Sequence, residues 1–317
     1  MFVIDKIKKH LEQKKQVKHQ KEQVEEIKIN FRAFIRELEI INKLGNKPER
    51  VEISFFEYGY KLGFYISRIC DFSRLENNKN FIRDCFNAYS INLENNRGYI
   101  TLTVYKKPLE EKKYKKILLS PYCLLLGYNY ENETVITDMR ISPHLLISGL
   151  SGQGKTGQIR VITANLSGLA DIYLINCFLS DFRGFNGAKF VNGDENILSF
   201  LQTLKQTEFK EHDRPIYLIF DELMTLTENK QIQKLIKEFL CVCRHYNIFI
   251  IGILQVARAE DFKSKTFFNS RVSFKQIEKS SYNIALGTIG DMEELKKREF
   301  YIKGSEGIEK AFTYTLY

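Results

Sequence analysis

From Leu145 to the end of the chain, short apolar runs alternate with segments whose apolar residues recur every three or four positions. The runs Leu145–Ile147, Ile172–Ile175, Ile216–Phe220, Ile248–Leu254 and Arg271–Phe274 have the length of strands. Between them, Gly157–Leu169 (Ile159, Val161, Ile162, Ala164, Leu166) and Gln231–Arg244 (Ile232, Leu235, Ile236, Phe239, Leu240) carry apolar side chains at helical spacing. Strands that are apolar on both faces and separated by helices predict a parallel sheet covered on both sides. Phe300–Ile302 and Ala311–Tyr317 add a closing hairpin.

The first part of the chain follows other rules. Residues 1–45 place Ile4, Ile7, Leu11, Val17, Val24, Ile27, Phe31, Phe34, Leu38 and Ile41 at steps of mostly three and four, which predicts one or two amphipathic helices. Lys14 and Lys21 interrupt the stripe, and Gly45–Pro48 ends the pattern. Such a helix packs on its own domain or on another copy, or it serves as an arm for a partner protein or DNA. In residues 51–135, Val51–Phe56 and Tyr99–Tyr105 read as strands, the latter with Ile100, Leu102 and Val104 on one face. Asn95–Gly98 reads as the turn between strands, and Phe81–Tyr89 as a short helix. The expected organisation is a helical arm over 1–48, a small α+β appendage over 49–120 and a large α/β domain over 121–317.

Composition narrows this. A hydrophobic content of 44% with 24 Phe and 17 Tyr in 317 residues supplies a real core and excludes general disorder. The formal net charge of +9 suits a polyanionic partner. The cluster Lys112, Lys113, Lys115 and Lys116 is either a phosphate contact or a solvated loop diluted by Glu110 and Glu111. No apolar run has the length of a membrane span, and the N-terminus turns charged too soon for a signal core, so the expectation is a cytoplasmic protein. Cys70, Cys85, Cys123, Cys177, Cys241 and Cys243 are scattered without zinc spacing, which predicts free buried thiols.

The chemistry concentrates at Gly149-Leu150-Ser151-Gly152-Gln153-Gly154-Lys155-Thr156, directly after the Leu145–Ile147 strand and before a helix. This is the G-x-x-x-x-G-K-[ST] spacing in the context that gives it meaning. A phosphate chain needs successive inward N–H groups, which a glycine-rich turn leading into a helix supplies without β-carbon clashes. Lys155 is then placed to reach the β- and γ-phosphates of ATP, and the Thr156 hydroxyl to ligate Mg²⁺. Pro215–Glu222, PIYLIFDE, ends a buried strand in two carboxylates. Asp221 is expected to hold the same magnesium and Glu222 to orient or deprotonate the attacking water. Gln255 ends the Ile248–Leu254 strand, either sensing the γ-phosphate or capping the strand. Arg244, Arg258 and Arg271 compete as a finger acting on a neighbouring subunit's nucleotide.

Taken in order, these segments resemble the FtsK/SpoIIIE family of DNA-translocating ATPases. The resemblance runs over about residues 120–317: Leu126–Gly127 with Asp138–Met139 as an entry hairpin, Pro143–His144–Leu145–Leu146 as the strand before the phosphate loop, and Ile219–Leu223 as the acidic strand. It continues through His245–Gln255, Asn269–Phe274 with Arg271 as the strand arginine, and Ser281–Gly287. It implies an α/β fold with a RecA-like P-loop core and a mostly parallel central sheet. It also implies a homo-oligomeric ring, hexameric in that family, with nucleotide between subunits and ATP-driven movement along double-stranded DNA. Gln255 falls in the sensor place. Val256–Ala257–Arg258 stands where the family has Arg-Pro, and neither a membrane-spanning part nor a winged-helix reader is evident. The expectation is therefore a small coupling ATPase for transfer or maintenance of a plasmid or integrative element. The alternative is an ATP-gated adaptor that positions a relaxase or replication initiator without translocating; a third reading is a packaging or secretion ATPase acting on another polymer.

Overall fold

A computed structural model describes residues 2–48, 50–182, 187–207, 214–255, 266–288, 292, 294–304 and 307–316. The chain divides into two compact units, Met1–Leu109 and Glu110–Tyr317.

The first unit opens with one 36-residue helix, α1 (Phe2–Glu37). It is followed by β1 (Glu52–Phe56), β2 (Gly59–Tyr65), α2 (Phe72–Glu76), α3 (Lys79–Cys85), β3 (Ser90–Asn96) and β4 (Tyr99–Tyr105). The strands form an antiparallel sheet in the order β1-β2-β4-β3. Alternation selects the inward face: Tyr60, Leu62 and Phe64 of β2 and Ile100, Leu102 and Val104 of β4 are buried together with Ile27, Phe31, Phe34 and Ile35 of α1. The Phe31 and Phe64 rings meet edge-on at 5.0 Å, and Phe34 lies 5.9 Å from Phe86. Arg97 and Gly98, both at positive φ, make the expected tight turn, and Asn95 Oδ1 accepts the Gly98 N–H at 2.8 Å.

The observed unit departs from expectation in three places. The helix expected over Phe81–Tyr89 starts and stops earlier, at Lys79–Cys85, and Phe81 is exposed. α1 ends at Glu37, and beyond it Ile40 is buried rather than Ile41, which is 44% exposed. The expected boundaries at 48 and 120 also differ from the observed division. Four aromatic and aliphatic side chains near the end of α1 belong to the same core as the sheet, which makes helix and sheet one unit.

The second unit is built on a ten-stranded sheet. Its elements are β5 (Cys123–Asn129), β6 (Thr134–Asp138), β7 (Leu145–Ser148), α4 (Lys155–Leu166), β8 (Asp171–Ile175), β9 (Ala188–Val191), α5 (Asp194–Thr207) and β10 (Ile216–Phe220). Then come α6 (Leu223–Thr227), α7 (Lys230–Val242), β11 (Ile248–Leu254), β12 (Ser270–Ser273), α8 (Lys279–Leu286), β13 (Glu299–Gly304) and β14 (Gly307–Phe312). The sheet order is β6-β5-β14-β13-β12-β7-β11-β10-β8-β9, and β12 through β9 run parallel. Leu145, Ile147, Ile219, Ile251 and Ile253 share one face with Ile159 and Ile162 of α4. Leu146, Leu218, Phe220 and Ile250 point the other way, into a second core with α5 and α7. This two-sided burial is why the strands read as unbroken apolar runs.

The closing hairpin is present, with β14 at Gly307–Phe312 in place of the expected Ala311–Tyr317; beyond it Thr315 makes only an isolated bridge to Lys113. β14 also pairs with β5, so the two hairpins extend the sheet on the β12 side. All six cysteines are free, but only Cys177 and Cys243 are buried as expected; Cys70, Cys85 and Cys123 are half-buried and Cys241 is exposed. No helix among the described residues is long and apolar enough to cross a membrane.

Candidate nucleotide site

Parallel strands deliver their C-terminal ends to one edge of the sheet, and every candidate catalytic motif except the arginines falls on that edge. β7 ends at Ser148 and passes into the glycine loop. One strand over is β11, leading to Gln255, and next to it β10, leading to Asp221. The registers Phe220↔Gly252 and Gly252↔Leu146 set the acidic strand end level with β7. At a strand spacing of about 4.8 Å, β10 and β7 lie about 10 Å apart, a gap that a lysine side chain and a phosphate chain can bridge together.

The loop has the backbone that its glycines permit. Gly149, Gly152 and Gly154 stand at φ +140, +73 and +125. A β-carbon on Gly149 would lie 2.7 Å from Phe274 Cβ, and one on Gly154 would lie 3.0 Å from the Phe274 ring and 3.3 Å from Arg298 Cα, whereas Gly152 faces open space. The loop is tied to its surroundings through Gly149 N–H to Leu254 O (3.2 Å), Leu150 N–H to Lys275 O (2.9 Å) and Arg298 N–H to Gln153 O (2.8 Å). Ser151 and Thr156 are exposed.

Lys155 is only 9% exposed, and its ammonium donates to Gly149 O at 2.5 Å and Leu150 O at 2.9 Å. Burial pulls its pKa down, while the charges of Asp221 and Glu222 pull it back up. Asp221 shows the mirror image: burial raises its carboxyl, with the neighbouring Glu222 charge adding to the rise, and the Glu222 N–H and Lys155 working against it. The lysine of one motif and the carboxylates of the other therefore sit within each other's field.

Glu222 occupies left-handed backbone, φ +47 and ψ 54, at the start of α6. Asp221 Oδ1 accepts its N–H at 3.1 Å, and Asn176 Nδ2 donates to Asp221 O at 3.2 Å. The next residue, Leu223, fills the space above Gly252, where a β-carbon would lie 2.8 Å from Leu223 Cδ2. The Gln255 side-chain amide donates to Glu222 Oε1. Lys155, Asp221, Glu222 and Gln255 thus converge.

Arg244 and Arg271 lie elsewhere. Arg244 lies in the turn before β11, at the opposite edge of the sheet. Arg271 pairs with Leu146 in β12, and its Nε donates back to Phe268 O at 3.1 Å, while its guanidinium lies against Gly287. Burial lowers its pKa. Its Nε is thus tied to the residues just before its strand. Arg258 falls outside the described residues.

Two features carry no local sequence signal. Arg298, at φ +71, presses its backbone against the loop. Beneath the loop, buried Gln276 donates from Nε2 to Ser148 Oγ (3.1 Å) and Ser273 Oγ (2.9 Å), and the Tyr282 hydroxyl accepts the N–H groups of Gln276 (3.2 Å) and Leu295 (3.3 Å). Both arise from contacts between distant segments, which no spacing rule reads.

No protein-family model matches this sequence, and neither does any curated protein. Solved structures do match. The pCW3 conjugation coupling protein TcpA, in its monomer form with ATPγS, has a TM-score of 0.59 at 14% identity, over 91% of this chain and 95% of that one. The cytoplasmic domain of EssC scores 0.54 at 15% identity, over 86% and 60%. ATPases 2 and 3 of Thermomonospora curvata EccC, in complex with a signal sequence peptide, score 0.53 at 13%, over 69% and 52%. The chain thus spans nearly all of TcpA but only part of the secretion ATPases. Its fold is the one these solved structures share, here an α/β unit on a ten-stranded, largely parallel sheet.

Proposed function

We propose that this protein hydrolyses ATP and couples the reaction to DNA movement in the transfer or maintenance of a mobile element. The observation that carries the ATPase reading is the buried Lys155 ammonium lying in the field of Asp221 and Glu222. The DNA reading is supported by the net charge of +9 and by likeness over almost the whole chain to a conjugation coupling protein.

In this mechanism the N–H groups of the loop Gly149–Thr156 and the α4 N-terminus receive the phosphates, and Lys155 exchanges its carbonyl partners for β- and γ-phosphate oxygens. Thr156 and Asp221 offer hard oxygen donors, and a cation beside Asp221 would offset the rise that burial imposes on its carboxyl, so the pair fits Mg²⁺. Bound there, Mg²⁺ would neutralise charge on the β- and γ-phosphate oxygens. Glu222 takes the proton of the water that attacks the γ-phosphorus as the bond to the ADP oxygen breaks. Gln255, bonded to Glu222, reports the state of the γ-phosphate to β11. Arg271, held by Phe268 O near the start of its strand, acts on the nucleotide of a neighbouring copy in a ring.

ATP hydrolysis measured with and without duplex DNA across a salt series tests this reading. Stimulation that falls steeply with salt is expected for phosphate tracking. ATP hydrolysis indifferent to DNA would instead favour the secretion-type reading, for which the likeness to EssC and EccC is the supporting observation. ATP-dependent stripping of a triplex-forming strand separates a motor from an adaptor that only positions a relaxase or initiator.

A further inference from the structure

A phosphate loop keeps its N–H groups inward only if its outward carbonyls find donors, because a carbonyl oxygen turned toward a triphosphate repels it. Gly154 O is served by the helix itself, through the Gln158 N–H at 2.9 Å. Gln153 O instead takes the Arg298 N–H at 2.8 Å. Arg298 comes from the residue before β13 and adopts φ +71, a conformation that glycine enters far more readily. The backbone alone would favour glycine there, so the arginine side chain needs its own reason.

Glu111 supplies that reason. Arg298 Nη1 pairs with Glu111 Oε2 at 2.9 Å, and the arginine side chain is 29% exposed. Glu111 belongs to a segment, 110–117, that is fastened along the phosphate-loop helix. The Ile117 N–H and the Tyr114 hydroxyl both reach Asn165 Oδ1, at 3.0 and 3.2 Å, and Lys116 Nζ reaches Ser167 O at 3.1 Å. Asn165 and Ser167 lie at the far end of α4, whereas Arg298 sits at its loop end. One strap therefore spans the helix.

We infer that Arg298 is a positioning residue of the nucleotide site: its N–H holds the Gln153 carbonyl outward, and Glu111 holds Arg298 in place. This rests on the ATPase reading and asks for no contact between Arg298 and phosphate. R298G keeps the N–H and suits the backbone, but releases Glu111. Affinity for a fluorescent ATP analogue is measured beside thermal melting without nucleotide. R298G is expected to melt at or above the wild-type temperature yet bind about threefold to tenfold more weakly, E111Q to bind about threefold more weakly, and the swap E111R/R298E to recover affinity over E111R alone. Wild-type affinity in R298G, or in E111Q should R298G not fold, overturns the assignment, as does a swap no tighter than E111R. Failure of the wild-type protein to bind the analogue would remove the ATPase reading instead, with K155A as the control for that outcome.

Discussion

The two ends of β7 each carry a residue in left-handed backbone and use it in opposite ways. His144, at φ +65, stands before the strand, and Gly149, at φ +140, stands after it. His144 is 1% exposed; its Nδ1 accepts the Ile250 N–H at 3.0 Å, and its carbonyl accepts the Ser270 N–H at 3.3 Å. Its ring and backbone therefore stitch β7 to both neighbouring strands. At the other end, Asp221 and Lys155 are both pushed toward neutrality by burial, Glu222 is held in disfavoured backbone, and Gln255 and Thr156 are exposed. One end uses its polar groups to build the sheet. The other keeps charge in a partly desolvated edge, where a phosphate chain can complete it.

The comparison breaks most readily at Glu222. Glu222→Gln should lower turnover by about 10²- to 10⁴-fold while leaving ATP affinity near wild type, as rapid-quench single-turnover and binding measurements would show. A matching loss of affinity would mean that the carboxylate serves binding rather than proton transfer.

The opposite end should fail by titration. Burial, with a smaller push from Arg244, lowers the His144 pKa from 6.5 to about 4. Above pH 6.5 the imidazole is neutral in the folded and unfolded chain alike. Between 6.5 and about 4 only the unfolded chain takes up the proton, so stability falls as pH falls, by about 3 kcal/mol in all. Urea unfolding at pH 7.5 and pH 5 should show about 2 kcal/mol of this loss, and His144→Phe should remove most of the pH dependence.

A smaller effect is expected at Gly252, beneath the acidic turn. Gly252→Ala must displace Leu223, the residue that seats Glu222, at a cost of about 1–3 kcal/mol. Its turnover should fall together with its melting temperature, whereas a stable variant with normal turnover would show that Leu223 does not seat the carboxylate.

Much of this edge was legible because its elements are local. Ile216–Phe220 and Ile248–Leu254 are strands over the very residues their apolar runs marked, since burial on both faces leaves no polar interruption. The glycine loop announced itself through positive-φ positions that only glycine fills easily. β9, Ala188–Val191, was illegible: it is four residues long, none fully buried, and Lys189 breaks its run. The helix near Phe81 was displaced because its aromatic residues advertise a core that Phe81 itself does not join. Arg298 and Gln276 reach the loop only through the closing hairpin and β12, partners that sequence distance hides.

The central claim is that the lysine of the loop and the carboxylates of β10 serve one triphosphate. Equilibrium binding of ATP by Lys155→Ala, set beside Glu222→Gln, tests it most directly. The account predicts that Lys155→Ala loses measurable ATP binding while Glu222→Gln holds ATP without hydrolysing it. ATP bound at wild-type affinity by Lys155→Ala, or hydrolysed at the wild-type rate by Glu222→Gln, would contradict it.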